Sequence, residues 1–156
     1  MRNSSFSYLP STLVVDIPEI DEQHARLFEQ LEIFKASCLE HNAVPADEAE
    51  ALFNALLDHC RTEERLAREA GLDFHRHGEK HATMLHSIRN VLNDMERPGI
   101  NVFGVIRYIG CWFERHIREE DKNLGLYLRQ VPCANQGQRF SEMFPERQFP
   151  EQRSAF

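Results

Sequence analysis

The chain has 156 residues, 42% hydrophobic and 28% charged, with 18 Lys and Arg against 25 Asp and Glu for a formal net charge of −7. That composition excludes a disordered polymer, and the length fits one domain with room for an arm at either end. The acidic balance disfavours nucleic acid, and no apolar run nears the ~20 residues that span a bilayer, so neither is expected as a partner.

The opening stretch, MRNSSFSYLPSTLVVD, lacks the apolar core and small-residue cleavage site of a signal peptide. Cys38, Cys60, Cys111 and Cys133 are widely spaced and form no C-x-x-C pair. A cytoplasmic location with unpaired thiols is the expectation.

In chain order, residues 1–17 read as an arm without periodicity. Asp16 can cap the helix that follows, and Pro18 suits its first turn. Helix one is predicted over 18–40, with Ile20, His24, Leu27, Phe28, Leu31, Phe34 and Cys38 on one face. After the loop HNAVPAD, helix two is predicted over 46–70, with Ala49, Leu52, Phe53, Leu56, His59, Cys60, Glu63, Leu66 and Ala70 inward and Gly71 as its C-terminal cap. Helix three is predicted over 73–96, lined by Phe74, His77, His81, Met84, Leu85, Ile88, Val91, Leu92 and Met95. Arg97-Pro98-Gly99 ends it. Helix four is predicted from the cap Asn101 to about Gln130, with Val105, Ile106, Ile109, Trp112, Phe113, His116, Ile117, Leu124, Tyr127 and Leu128 inward. Short connections make sequential helices antiparallel, so the expected fold is all-α: an up-down-up-down four-helix bundle over 18–130. The extension 131–156 carries Phe140, Phe144, Phe149 and Phe156 among balanced charges, and could dock on the bundle or on a protein partner.

The inward faces hold residues that a plain core does not. Each of the four helices places at least one histidine in line with its leucines and phenylalanines. A buried ionisable group is costly unless it is paired or bound to metal. His59 and Glu63 stand at i and i+4, as do His77 and His81, so each pair projects from one face. His24 stands alone on helix one, and His116 is followed by Glu119, Glu120 and Asp121. Together these point to a metal site inside the bundle. Five imidazoles and two carboxylates, with no thiolate at ligand spacing, suit iron, zinc or copper better than calcium or magnesium. Seven ligands exceed the need of one four-coordinate zinc, but can hold two metals if both carboxylates bridge. His41, His75 and His86 fall outside the pattern.

The segments IPEIDEQHARLFEQL, LLDHCRTEERLA, HGEKHATML and WFERHIREEDKNL resemble the hemerythrins, in their bacterial single-domain form, bacteriohemerythrin. The resemblance implies two iron ions (Fe2+/Fe3+) with an oxo or hydroxo bridge. It places His77, His81 and His116 on one iron and His24 and His59 on the other, with Glu63 and Asp121 bridging. It further implies reversible, non-catalytic O2 binding at the second iron, for oxygen storage, delivery or sensing. The competing expectation is a di-iron oxidase or peroxidase-like scavenger of O2, peroxide or nitric oxide. Leu27, Trp112, Phe113 and Ile117 match the apolar O2 pocket of the family, and Cys60 stands in that pocket where the family usually has Phe. At one position the two readings part. Regular helix periodicity selects Glu120, at i+4 from His116, whereas the family pattern selects Asp121, at i+5 and rotated by about 140°. Either His116 and Asp121 straddle the metal pair, or a local π-type widening brings them together.

Overall fold

The computed structural model describes residues 9–41 and 43–131, and the extension expected beyond them, with its phenylalanines, lies outside this range. The described residues are helical apart from their connections and contain no strand. Helix α1 runs Pro18–His41, α2 Ala46–Glu69, α3 His75–Asp94 and α4 Val102–His116. A π-helical turn, Ile117–Asp121, carries α4 into α5, Lys122–Gln130, so that the last three segments form one rod. Each of α1 and α3 packs against both α2 and α4, which closes the four rods into the predicted bundle.

Local chemistry sets the helix ends. Asn101 accepts the Gly104 N–H at 3.1 Å and caps α4 as expected. Gly71, at φ 69°, ends α2 with paired bonds, from its own N–H to the Arg68 carbonyl and from the Leu72 N–H to the Ala67 carbonyl. That left-handed cap is the one glycine performs best. Helix α3 starts two residues later than predicted, because Asp73 accepts the His75 N–H at 3.0 Å and holds the preceding residues in a turn. Gly78 is not a close-approach glycine: a Cβ there would sit an ordinary 3.7 Å from Phe74.

The arm contributes to the core more than its sequence suggested. A short 3-10 turn, Ser11–Leu13, places Leu9, Leu13 and Val15 among the buried residues. The bond tying the arm to α1 comes from Asp21 rather than from the predicted cap Asp16: its buried carboxylate accepts the Val15 N–H at 2.8 Å. Asp16 instead adopts a left-handed backbone, φ 61°, and lies 3.8 Å from Arg129. Arg129 also donates to the Val15 carbonyl, and Gly125 lies so close that a Cβ would be 2.5 Å from that oxygen.

One predicted inward residue points elsewhere: Tyr127 is 58% exposed. Trp112 is half-buried, packed against the core with its ring beside Tyr108. The far end of the bundle is filled by Phe34, Cys38, Leu52, Ile88, Leu92 and Ile106. No described helix is long and apolar enough to cross a membrane.

Candidate metal centre

Helical periodicity brings the seven predicted ligands to one place. His24, His59, Glu63, His81, His116 and Asp121 are buried, and His77 is nearly so. His24 comes from the first turns of α1, His59 and Glu63 from the last turns of α2, and His77 and His81 from the first turns of α3. His116 and Asp121 bracket the π turn. In that turn the Lys122 N–H bonds to the Ile117 carbonyl, an i to i−5 closure. The wider coil carries Asp121 round, and its Oδ1 lies 2.9 Å from His116 Nε2. The ambiguity between Glu120 and Asp121 is therefore resolved by the backbone, since Glu120 lies outside both ligand groups.

The donor atoms form two groups that share both carboxylates. Glu63, His77, His81, His116 and Asp121 make one, and His24, His59, Glu63 and Asp121 make the other, with ligand atoms within 4.8 Å of one another in each. On the first side, Glu63 Oε2 lies 3.1 Å from His81 Nε2 and 3.3 Å from His77 Nε2. On the second, Asp121 Oδ2 lies 3.1 Å from His24 Nε2, and Glu63 Oε1 lies 3.6 Å from His59 Nε2. His24 Nε2 and His59 Nε2 are 3.2 Å apart. All five imidazoles thus turn the same nitrogen inward.

Buried polar atoms normally have partners. Here both oxygens of Glu63, Asp121 Oδ2 and His81 Nε2 are buried without an aligned hydrogen bond. Lone pairs that converge at short range without hydrogen bonds fit a bound cation, and the imidazole-rich donor set fits a transition metal.

The electrostatics agree. Burial raises Asp121, but His116, His24, His59 and His77 outweigh it and hold the carboxyl well below its usual range. Burial and Asp121 push Glu63 up, while His59, His77 and His81 bring it below the ordinary value. Burial opposes charge on His77, yet Asp121 and Glu63 lift it to about 9. His59 is raised in the same way, against burial, by Glu63 and Asp121, whereas burial dominates at His81 and lowers it. Protons on the raised imidazoles balance the carboxylates, and an incoming metal displaces them, so acid opposes binding.

The predicted pocket residues divide. The Phe113 ring meets the edges of His24 and His59, with centroids 5.5 and 6.1 Å away. Leu27, three residues after His24, and Ile117, next to His116, are both buried. Trp112 packs against the core and lines a groove together with Lys80, Glu119 and His116. Cys60 is buried but also lines a groove of about 650 Å³ between α2 and α3, together with His81, Phe74 and Leu85. Burial, then Glu63 and Asp121, pushes the Cys60 thiol up, so it stays protonated.

Three further residues support the site: Phe74, which the sequence placed on the inward face without a part in the site, and Gln23 and Thr62, which it passed over. Phe74 lies tilted against His77 and edge-on to His81, with centroids 4.5 and 5.5 Å away. Gln23 Oε1 accepts from His59 Nδ1 at 2.9 Å, and Gln23 Nε2 donates to Thr62 Oγ1 at 2.9 Å. Gln23 and Thr62 each immediately precede a ligand, and that adjacency was the available signal. His41, His75 and His86 are exposed and apart from the cluster, as expected.

Comparison with known proteins gives one family. No curated protein and no solved structure matches the chain. A family model, the hemerythrin HHE cation binding domain, matches residues 15–127, which takes in every candidate ligand and the docked end of the arm. A bundle of this topology, with this cluster at one end and that match over most of its length, belongs to the hemerythrin HHE cation-binding family.

Proposed function

We propose that this chain is a bacterial single-domain hemerythrin that binds O2 reversibly, without catalytic turnover, at a pair of iron ions. The observation that carries the reading is the sharing of Glu63 and Asp121 between two ligand groups. His77, His81 and His116 would hold one iron and His24 and His59 the other, with the two carboxylates common to both. The pair would carry the oxo or hydroxo bridge that the family resemblance implies. Iron there would supply reversible electron transfer to O2, chemistry that belongs to the metal rather than to the chain. Fewer imidazoles on the His24 side leave room for a ligand from outside. Storage, delivery or sensing of oxygen in the cytoplasm is the corresponding role.

The chain's own residues exclude water and hold the donors still. Phe113 covers the imidazoles on the His24 side, and Leu27 and Ile117 fill the adjoining core. A dry apolar wall keeps protons and water from the reacting atoms. The groove beside Cys60 favours a second reading, a scavenger that turns over O2, peroxide or nitric oxide, because it brings open volume up to His81.

The deciding experiment loads the protein with ferrous iron without air, counts bound iron, admits O2, and then removes it. Two irons per chain and a visible band that comes and goes with O2 support the carrier reading. An irreversible band, or turnover with a reductant, supports the scavenger. No stoichiometric iron rejects both.

A further inference from the structure

We propose that Gln23 and Thr62 form a hydrogen-bond relay that fixes the tautomer of His59, so that Nε2 faces the cluster as a bare lone pair and metal is retained on the His24–His59 side. The proposal rests on the two-ion reading above for its metal readout, but its geometry is present without metal.

The relay starts from a backbone carbonyl. Thr62 Oγ1 donates to the carbonyl of Asp58, 3.1 Å away and one helical turn back. A carbonyl can only accept, so the hydroxyl proton is committed there. The hydroxyl lone pair then accepts from Gln23 Nε2 at 2.9 Å. An amide nitrogen can only donate, which places the amide oxygen at the other end, 2.9 Å from His59 Nδ1. That oxygen can only accept, so Nδ1 carries the ring proton. In the neutral ring, Nε2 is then free to ligate. Each bond leaves its neighbour one polarity, and the fixed carbonyl sets the direction.

The relay also distinguishes one ligand from the rest. Among the described residues, His59 is the ligand whose Nδ1 meets a side-chain acceptor, whereas His24 Nδ1 is buried with no partner. The His24 side has two imidazoles against three on the other. A misoriented ring therefore removes a larger share of its donors. Gln23 and Thr62 are positioning residues: neither belongs to a ligand group, and both act through His59. Outer partners of this kind typically change metal affinity by about 10–100-fold.

The test compares the wild-type chain with Gln23→Leu, Gln23→Glu, Thr62→Val and Thr62→Ser. Each is loaded anaerobically with ferrous iron and challenged with a chelator. The ring nitrogens of His59 are read by NMR in the metal-free chains at alkaline pH, where the imidazole is neutral. The relay expects an Nδ1–H tautomer in the wild type and a mixture in Gln23→Leu. Gln23→Leu should release one iron about 10–100-fold more readily and keep the other at the wild-type rate. Gln23→Glu should hold both irons, because a carboxylate still accepts from Nδ1. Thr62→Val should shift in the same direction as Gln23→Leu but less, and Thr62→Ser should restore the wild type. Equal loss of both irons in Gln23→Leu, unchanged retention, or an Nε2–H tautomer in the wild type would overturn the proposal. A wild-type chain that binds no second iron refutes the two-ion reading instead, and the tautomer then decides the relay.

Discussion

At the end of the bundle far from the arm, the helices pack Phe34, Leu52, Ile88 and Ile106 against one another; near the arm the same helices bury His24, His59, Glu63, His81, His116 and Asp121. The rods and their periodicity are shared, and only the side chains differ. The far end is held by apolar burial, which needs nothing from outside. The near end buries charge whose balance rests on protons or a cation. One end therefore sets the fold's intrinsic stability, and the other makes part of it conditional on what is bound.

Breaking the far end should cost most. Phe34, about 15 Å along α1 from His24, is 1% exposed, so Phe34→Ala is expected to lose about 3–5 kcal/mol in both metal-free and loaded protein, measured by denaturant unfolding. A loss confined to one form would erase the contrast between the ends. Metal removal should come next: with free metal about a thousandfold above its Kd, chelation is expected to lower stability by about 4 kcal/mol. Hydrogen exchange should then rise around His59 and His116 and change little around Leu52 and Ile106. Asp121→Asn acts on composition rather than on fold, and metal analysis should find fewer than two ions per chain. Gly125→Ala forces a Cβ against the Val15 carbonyl and should cost about 1–3 kcal/mol whether or not metal is present. The smallest effect on stability is expected for Cys60→Phe, which has the groove to expand into. Its readout is chemical, since the larger ring should slow autoxidation of the loaded protein, and equal rates would remove Cys60 from the account of the pocket.

The bundle and the histidine ligands were legible because both depend on a 3.6-residue period that the chain keeps through four rods. His24, His59, His77, His81 and His116 sit among apolar residues at that spacing, and burial follows. Other features depend on contacts between segments distant in sequence. Leu9, Leu13 and Val15 lie in an irregular stretch with no period to read, and Val15 is held in place by Asp21, Gly125 and Arg129. Asp121 could be chosen over Glu120 only by family likeness, because regular helix geometry favours i+4. Tyr127 was placed inward on a straight-helix assumption, and the π turn that precedes it shifts the face it presents. Gln23 and Thr62 are ordinary polar residues until the bonds to His59 and Asp58 are seen.

The widened turn over Ile117–Asp121 has a consequence for how this protein tolerates changes in length. An i to i−5 closure takes up one residue more than an α-turn does, so the chain holds a surplus residue there without advancing the segment that follows. Arg118 and Glu119 in that turn are exposed. Losing either would convert the turn to regular helix, leaving the carboxylate of Asp121 four positions after His116, on the same face. Elsewhere along the rod a single deletion rotates everything downstream by about 100° and would carry Gly125 away from Val15. In this segment the helix can shorten by one residue while His116, Asp121 and the seat of the arm keep their registration, a tolerance the regular part of the rod does not have.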